Sequence, residues 1–243
     1  MHQLSIITIC YNDREGLERT LSSLRKQTTQ AFDHIIVDGG STDGSVELVR
    51  GSEQFITKWV SEADKGIYDA QNKGWRMAGT PFVQFLNAGD ELASENVLAR
   101  IIPVLTSDFD IVFGDSGLAD QRGLHGRKQH PARITSPWLM KEVVSHSAQF
   151  IRKELLEHFH GYNTRYMIAA DYAFFAQAFW NGQLRLRKLD ILVSVFDTRG
   201  ISSSPLQKEK VSEERKEIQR RYAPRFWYMI YQGYATFNRM IGR

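Results

Sequence analysis

Residues 82–92 read Phe82-Val83-Gln84-Phe85-Leu86-Asn87-Ala88-Gly89-Asp90-Glu91-Leu92. A short apolar run, preceded by Thr80-Pro81, breaks into a small, polar, acidic turn. Such a run predicts a buried strand. Asp90 then stands just past the carboxyl end of that strand, the edge at which ligands bind in open α/β sheets. A carboxylate there has two readings: a turn or helix-capping residue, or a hard oxygen ligand suited to Mg²⁺ or Mn²⁺.

The same pattern recurs upstream. Leu4 to Cys10, Phe32 to Val37 and Phe55 to Ser61 are apolar runs that each end in a polar loop. Between them lie helical stretches. Leu17, Leu21 and Leu24 form one stripe after a turn that Asn12 or Asp13 can cap, Val46 to Arg50 is a short helix, and Gly66 to Met77 carries Ile67, Ala70 and Gly74 on one side. Downstream, Glu95 to Leu105 predicts a helix and Asp110 to Gly114 a strand. Alternating strands and helices with short loops imply βαβ units: an α/β chain with a mostly parallel sheet flanked by helices. The loop Asp38-Gly39-Gly40-Ser41-Thr42-Asp43-Gly44-Ser45 allows backbone to approach a ligand closely. It lacks the Gly-Lys-Ser/Thr ending of a P-loop, and residues 11–16 lack a dinucleotide fingerprint.

After Asp115 the pattern changes. Residues 115–137 carry Arg122, His125, Arg127, Lys128, His130 and Arg133 among glycines. This excursion is either a solvated basic loop or an anion-facing wall over the sheet edge, with His125 and His130 as polar surface residues. Ser145 to Ile151 predicts a strand carrying His146, and a short helix follows from Lys153. Asp171 opens a helix in which Tyr172, Phe175, Ala176 and Phe179 share a face, and an N-cap is one reading of it. Residues 184–188 and 191–196 predict two strands, 200–205 a loop and Leu206 to Tyr222 a charged helix. From Ile218 onward there are five arginines, seven aromatics and no acidic residue. A final helix from Pro224 aligns Phe226, Ile230, Tyr234, Phe237 and Ile241, flanked by Arg220, Arg221, Arg225, Arg239 and Arg243. It either docks on the domain's own core or lies at a membrane interface, where tryptophan and tyrosine favour the headgroup layer.

Composition sets the outer bounds. The 243 residues, 42% hydrophobic, suffice for one large domain with a small appendage. A net charge of +3 makes no case for nucleic acid. The single cysteine, Cys10, lies in an apolar run, which fits a core residue in a reducing compartment. The 4–10 run is too short for a signal segment, and no apolar stretch approaches the roughly 20 residues of a membrane span.

Six pieces in order carry a resemblance: Ser-Ile-Ile-Thr-Ile-Cys-Tyr-Asn at 5–12, Val-Asp-Gly-Gly-Ser-Thr-Asp-Gly-Ser at 37–45, and Ser-Glu-Ala-Asp-Lys-Gly-Ile-Tyr-Asp-Ala-Gln-Asn-Lys-Gly at 61–74, then Phe-Leu-Asn-Ala-Gly-Asp at 85–90, His-Ser-Ala-Gln-Phe at 146–150 and Ala-Ala-Asp-Tyr at 169–172. Over about Leu4 to Ser203 the chain resembles the inverting, GT-A (Rossmann-like) glycosyltransferases of family 2. The 61–74 piece is most similar to the colanic-acid-type subgroup, which builds surface polysaccharide.

The resemblance implies roles. Tyr11 and Asp38 correspond to the nucleoside-base pocket, and Asp64, Lys65, Asn87 and His146 to further nucleotide-sugar contacts. Asp90 corresponds to the last acid of the metal motif that holds Mn²⁺ or Mg²⁺ on the donor diphosphate, and Asp171 to the general base. Asn87 stands where that motif usually begins with Asp, which leaves one carboxylate and waters for the ion. Ser147 follows His146 where the subgroup has Gln, with Gln149 two further on. The implied partners are a UDP- or GDP-sugar donor and a glycan or lipid-linked glycan acceptor. An anionic membrane surface and a cytoplasmic place at the inner face of the cell membrane go with them. The implied division is a GT-A domain over 1–204 and a membrane-associating C-terminal helical extension over 205–243. Competing readings are a sugar nucleotidyltransferase, disfavoured by the sparse basic content of residues 11–16, and a non-catalytic nucleotide-sugar-binding protein, disfavoured by the intact Asp90 and Asp171.

Overall fold

Strand β1 (Leu4–Cys10) is buried at every position, which explains why it reads as an unbroken apolar run rather than an alternating one. It is the inner strand of a four-strand parallel unit. β2 (Asp33–Asp38) and β4 (Phe82–Phe85) flank it, and β3 (Lys58–Ser61) lies outside β2. The computed structural model describes residues 2–182, 184–198 and 207–240, with 234–240 described by backbone alone. The expected 200–205 loop, Leu206, the boundary at 204, Ile241 and Arg243 lie outside the described residues, as do the side chains of Tyr234, Phe237 and Arg239.

Helix α1 (Arg14–Arg25) follows β1, and Asp13 caps it by accepting a bond from the Gly16 amide at 3.0 Å. Its buried Leu17 and Leu21 pack with Cys10, Ile36 and Val49, so the lone cysteine is a buried free thiol. Helix α2 (Ser45–Arg50) follows β2, and α3 (Ile67–Met77) precedes β4. A Cβ placed on Gly74 of α3 would sit 2.4 Å from Cγ2 of Ile7 on β1, so this helix lies on the sheet at a distance only glycine permits.

Beyond β4 the sheet becomes mixed. A two-residue strand β5 (Glu91–Leu92) leads to α4 (Val97–Ile101), which passes into a 3₁₀ turn at Ile102–Val104, where Pro103 cannot donate to an α-helical ladder. Strand β6 (Ile111–Asp120) extends six residues past the expected Gly114 and forms a hairpin with β7 (Gly123–Lys128). Helix α5 (Ser136–Leu139) leads to a 3₁₀ turn at His146–Ala148 and strand β8 (Gln149–Arg152). His146 therefore stands ahead of the strand that was expected to carry it. Helices α6 (Lys153–His158) and α7 (Ala170–Asn181) precede β9 (Leu186–Asp197). β9 is one strand where two were expected, and its register against β6 shifts on either side of Asp115. Helices α8 (Lys208–Tyr222) and α9 (Arg225–Met240) close the described chain.

The path through the sheet is β3-β2-β1-β4-β8-β6-β9-β5, with β7 on β6. β8 is antiparallel to both β4 and β6, while β9 is parallel to β6. The carboxyl ends of β1, β2, β3, β4, β6 and β9 therefore face the same edge, as does the start of β8. One apolar cluster joins Ile7, Val37, Phe85 and Phe113 to α3 and α7 on one face of the sheet. A second joins Leu4, Ile6, Phe82 and Phe150 to α1 and α4 on the other.

His130 was expected on the surface, and the structure corrects this. Its ring is buried edge-on to Phe113 and Trp138, its Nε2 receives the Ser145 amide at 3.3 Å, and its own amide binds Asp115. Burial, first, and Lys128, second, push its pKa down to about 4. The residues of the 115–137 excursion do not reach the cavity described below. Arg127 pairs with the buried Asp115 at 2.8 Å and Lys128 with Glu142 at 3.1 Å.

Candidate functional site

At the shared carboxyl edge lies a cavity of about 580 Å³. Tyr11 stands where β1 ends and Asp64 in the loop after β3. Asn87 and Asp90 come from the turn after β4, His146 from the start of β8, and Asp171 from the first turn of α7. Those six expected residues line one cavity. Asp38 and Lys65 do not line it.

Asp38 is fully buried at the end of β2. Its Oδ2 accepts the Gly40 and Ser41 amides at 3.0 and 2.9 Å and the Ser61 hydroxyl at 2.6 Å, which folds the loop after β2 against the end of β3. Its Oδ1 has no protein partner among the described residues. Lys65 is exposed, and its backbone amide binds Asp69 at 3.0 Å. Between them, Gly39 leaves room for Asp64 and Tyr11. A Cβ there would lie 2.5 Å from the Asp64 carboxylate and 3.1 Å from the Tyr11 ring. Tyr11 itself is 66% exposed, an aromatic face presented at the rim.

The turn after β4 is held from two helices. Thr20 of α1 donates to the Asp90 carbonyl at 2.8 Å and receives the Gly89 amide at 3.0 Å. Gln71 of α3 donates to Asn87 Oδ1 at 3.0 Å, and Asn87 Nδ2 lies 3.2 Å from His146 Nε2. Gly89 has φ +94°, the left-handed region that glycine adopts at little cost. The turn thereby presents Asp90 inward. Asp90 Oδ1 accepts the Asp197 amide at 3.1 Å. Asp90 Oδ2 is buried without a hydrogen bond, and His146 Nε2 is 3.4 Å away. Burial acts to lower the His146 pKa, but Asp90 beside it and Asp171 further off outweigh burial and raise it above its ordinary value.

Asp171 occupies the second position of α7, while Ala169 is the N-cap residue and gives no side-chain bond. The capping reading of Asp171 is thus corrected. Its Oδ1 accepts the adjacent Tyr172 amide at 2.8 Å and lies 3.1 Å from the Tyr68 hydroxyl. That hydroxyl also donates to the Ile168 carbonyl. Burial first, then the Asp171 charge, hold Tyr68 well above the usual tyrosine range, so it remains a proton donor.

Several lining residues went unforeseen. Tyr68 and Gln71 sit inside the 61–74 stretch, four and seven residues after Asp64, and their place there was the available signal. Asp197 ends β9 as Asp38 ends β2, a carboxylate at a strand's carboxyl end. Arg19, which binds Asp197 at 2.7 Å, sits on the polar face of α1 and had no distinguishing sequence signal.

A mostly parallel sheet with polar residues from separate strand ends around one cavity is the architecture of α/β enzymes that bind ligands at the carboxyl edge. The chain belongs to glycosyltransferase family 2: the family model "Glycosyl transferase family 2" matches residues 5–181. An uncharacterised glycosyltransferase of Mycobacterium tuberculosis is 32% identical over 207 residues, covering 82% of this chain and 77% of the relative. A PGL/p-HBAD biosynthesis glycosyltransferase of Mycobacterium bovis is 30% identical over 214 residues, covering 84% and 81%. Among solved structures, S. aureus TarS 1-349 in complex with UDP-GlcNAc superposes with a TM-score of 0.72 at 20% identity, over 90% of this chain and 65% of that one. The mannosyltransferase PcManGT of Pyrobaculum calidifontis, in complex with GDP-Man and Mn²⁺, gives 0.62 at 16% identity, over 97% and 80%. The fold is that of GT-A glycosyltransferases.

Proposed function

We propose that this glycosyltransferase moves a sugar, with inversion, from a UDP- or GDP-linked donor to a hydroxyl of a glycan acceptor. The observation that carries the reading is the placement of Asp90 and Asp171 in one cavity on separate elements. Single displacement needs a group at the leaving diphosphate and another at the incoming hydroxyl, and no covalent nucleophile. The acceptor oxygen bonds to the anomeric carbon, the bond from that carbon to the phosphate oxygen breaks, and the acceptor proton passes to Asp171. A carboxylate is a competent base when the proton leaves as the bond forms.

Tyr11 offers its exposed ring to stack on the base, with Asp64 across Gly39 as a hydrogen-bond acceptor. The unpartnered Oδ1 of Asp38 has the acceptor character a base N–H requires. Lys65, exposed in the same loop as Asp64, would be recruited as a contact on donor binding. Asn87 and His146 hold the diphosphate end of the cavity around Asp90.

The buried Oδ2 of Asp90, which takes no hydrogen bond among the described residues and has His146 beside it at 3.4 Å, fits a Mn²⁺ or Mg²⁺ ion. Among the described residues no three His, Cys, Asp or Glu side chains form a preformed cluster, so donor oxygens and water complete such a site. When bound, the ion supplies positive charge against the leaving diphosphate. The neighbour solved with GDP-Man and Mn²⁺ supports this assignment.

The acceptor class we propose is a lipid-linked glycan in surface polysaccharide assembly of the colanic-acid type. The enzyme would act at the cytoplasmic face, held there by a C-terminal extension over 205–243 that follows the catalytic part over 1–204. Support comes from the composition of α9 and its exposed Phe226, Met229 and Ile230. The test is a panel of nucleotide sugars with Mn²⁺ or Mg²⁺, read by thermal shift and by nucleoside diphosphate release. One UDP- or GDP-sugar should stabilise the protein and be turned over. Stabilisation by nucleoside triphosphate with pyrophosphate release would overturn the reading.

A further inference from the structure

Glu214 is a carboxylate 5% exposed on the C-terminal helix α8, far in sequence from every residue of the cavity. Its Oε1 accepts the Met167 amide at 2.8 Å, and its Oε2 accepts the Ile168 and Ala169 amides at 3.0 and 2.9 Å. These amides belong to the N-cap residue of α7 and the two residues before it, and α7 has no side-chain cap of its own. A carboxylate with three charge-assisted bonds at the positive end of a twelve-residue helix is strongly held. It explains how an acidic side chain is kept in a buried place.

The segment so gripped is the one that carries Asp171. Met167 and Ile168 line the cavity beside Asp171. From the opposite side, the Tyr68 hydroxyl of α3 donates to the Ile168 carbonyl and lies 3.1 Å from Asp171 Oδ1. The 167–169 backbone is thus fixed through its amides by α8 and through its carbonyl by α3, with Asp171 two residues further on. Two more residues lock α8 in register. The Arg215 guanidinium stacks 4.2 Å above the Tyr172 ring, and Gln219 donates to the Met140 carbonyl at 2.9 Å and to the Tyr172 hydroxyl at 3.1 Å.

We propose that Glu214 is a positioning residue for Asp171: by capping the start of α7 from α8 it fixes the base and the acceptor side of the cavity. The catalytic site is then incomplete without the first C-terminal helix. The inference rests on the assignment of Asp171 as the general base. Displacing a positioned group by an ångström lowers the reaction rate without touching distant binding contacts. Glu214→Gln keeps the volume but loses the charge and one acceptor oxygen, so one of the three amides loses its partner.

The test measures kcat, donor KM and thermal midpoint for Glu214→Gln, Tyr68→Phe, Asp171→Asn and the two double variants that add Glu214→Gln or Tyr68→Phe to Asp171→Asn, with the preferred donor and acceptor. Glu214→Gln should lower kcat by roughly ten- to a hundredfold while donor KM stays within about twofold, since the donor-side residues lie on other elements. In the Asp171→Asn background the same change should cost less than about twofold, because the group it positions is already gone. Equal losses in both backgrounds would reduce Glu214 to a stabilising contact and overturn the proposal, as would an unchanged kcat in the single variant. If Glu214→Gln folds poorly, Tyr68→Phe reads the same segment from α3. Its loss should likewise vanish in the Asp171→Asn background, and a loss that persists there overturns the proposal. Should Asp171→Asn alone keep its rate, the base assignment itself fails, an outcome separate from a failure of Glu214.

Discussion

Asp90 and Asp171 are both carboxylates in one cavity, yet their surroundings ready them for different work. Asp90 Oδ2 is buried without a hydrogen bond among the described residues and has the His146 ring beside it, at 3.4 Å. Removing the side chain gives up that pair and the bond from the Asp197 amide, two contacts at the rim of the fold. For Asp90→Ala we expect a folded chain with a thermal midpoint at or modestly below that of the parent, and the Mn²⁺-dependent gain in nucleoside diphosphate affinity to vanish by calorimetry. Transfer that proceeds unchanged in EDTA would contradict this assignment. Asp171 has a different environment, with Oδ1 taking the Tyr172 amide and facing the Tyr68 hydroxyl. Asn keeps an acceptor for both bonds but has no basicity. Asp171→Asn should change stability by less than about 1 kcal/mol and lower turnover by roughly two to four powers of ten, measured by initial rates at saturating donor. A variant that loses stability and keeps its rate would make Asp171 a structural residue.

At the scale of elements, the parallel half of the sheet buries a histidine that has a consequence in acid. His34 on β2 bonds Thr8 Oγ1 on β1 at 3.0 Å, and burial, with Arg25 second, lowers its pKa to about 4. His130, between β7 and α5, is lowered to about 4 as well. Both folded values lie below the unfolded value near 6.5, so between pH 6.5 and 4 the unfolded chain binds more protons and stability falls as pH falls. Each histidine accounts for up to about 3 kcal/mol of loss by pH 4. A midpoint-against-pH series should show this slope, and His34→Gln and His130→Gln should each flatten it; parallel slopes would contradict the assignment. The strands of the parallel half were legible because burial on both faces writes them as apolar runs, and Asp13, Asn87, Asp90 and Asp171 fell where strand and helix ends were expected. What escaped reading was mixed pairing. Nothing local in Gln149–Arg152 says that β8 runs antiparallel between β4 and β6, or that β6 and β9 continue through a register shift on either side of Asp115. His130, one ring in a basic stretch, is buried by Phe113 and Trp138, which are distant in sequence.

Taken as a whole molecule, the chain puts the cavity proposed as its catalytic site at one sheet edge and an apolar helix at its C-terminus, with α8 between. Among the described residues no helix is long and apolar enough to cross a membrane. α9 nonetheless exposes Phe226, Met229 and Ile230, spaced three and one apart on one helical face, while Trp227, Tyr228 and Tyr231 are half-buried towards the protein. The docked face is therefore the Trp227–Tyr231 side, and the stripe that could have docked or faced a membrane is turned outward at its described positions, Phe226 and Ile230. Arg220, Arg221 and Arg225 at its start are exposed. Each arginine near an anionic leaflet contributes on the order of 1 kcal/mol, and the apolar face adds burial that salt does not screen. Full-length protein should thus float with vesicles containing anionic phospholipid at low salt, float weakly with neutral vesicles, and be partly released by about 0.5 M salt, at which the Debye length shrinks to a few ångströms. Phe226→Glu/Ile230→Glu alters the outward face alone, so it should abolish flotation while leaving the thermal midpoint and turnover of a water-soluble acceptor in place. A chain ending at Arg221 should likewise stay in solution. Flotation that survives both changes would move the membrane contact elsewhere, and a concentration-dependent dimer lost in Phe226→Glu/Ile230→Glu would make the same face a contact between two copies of the enzyme.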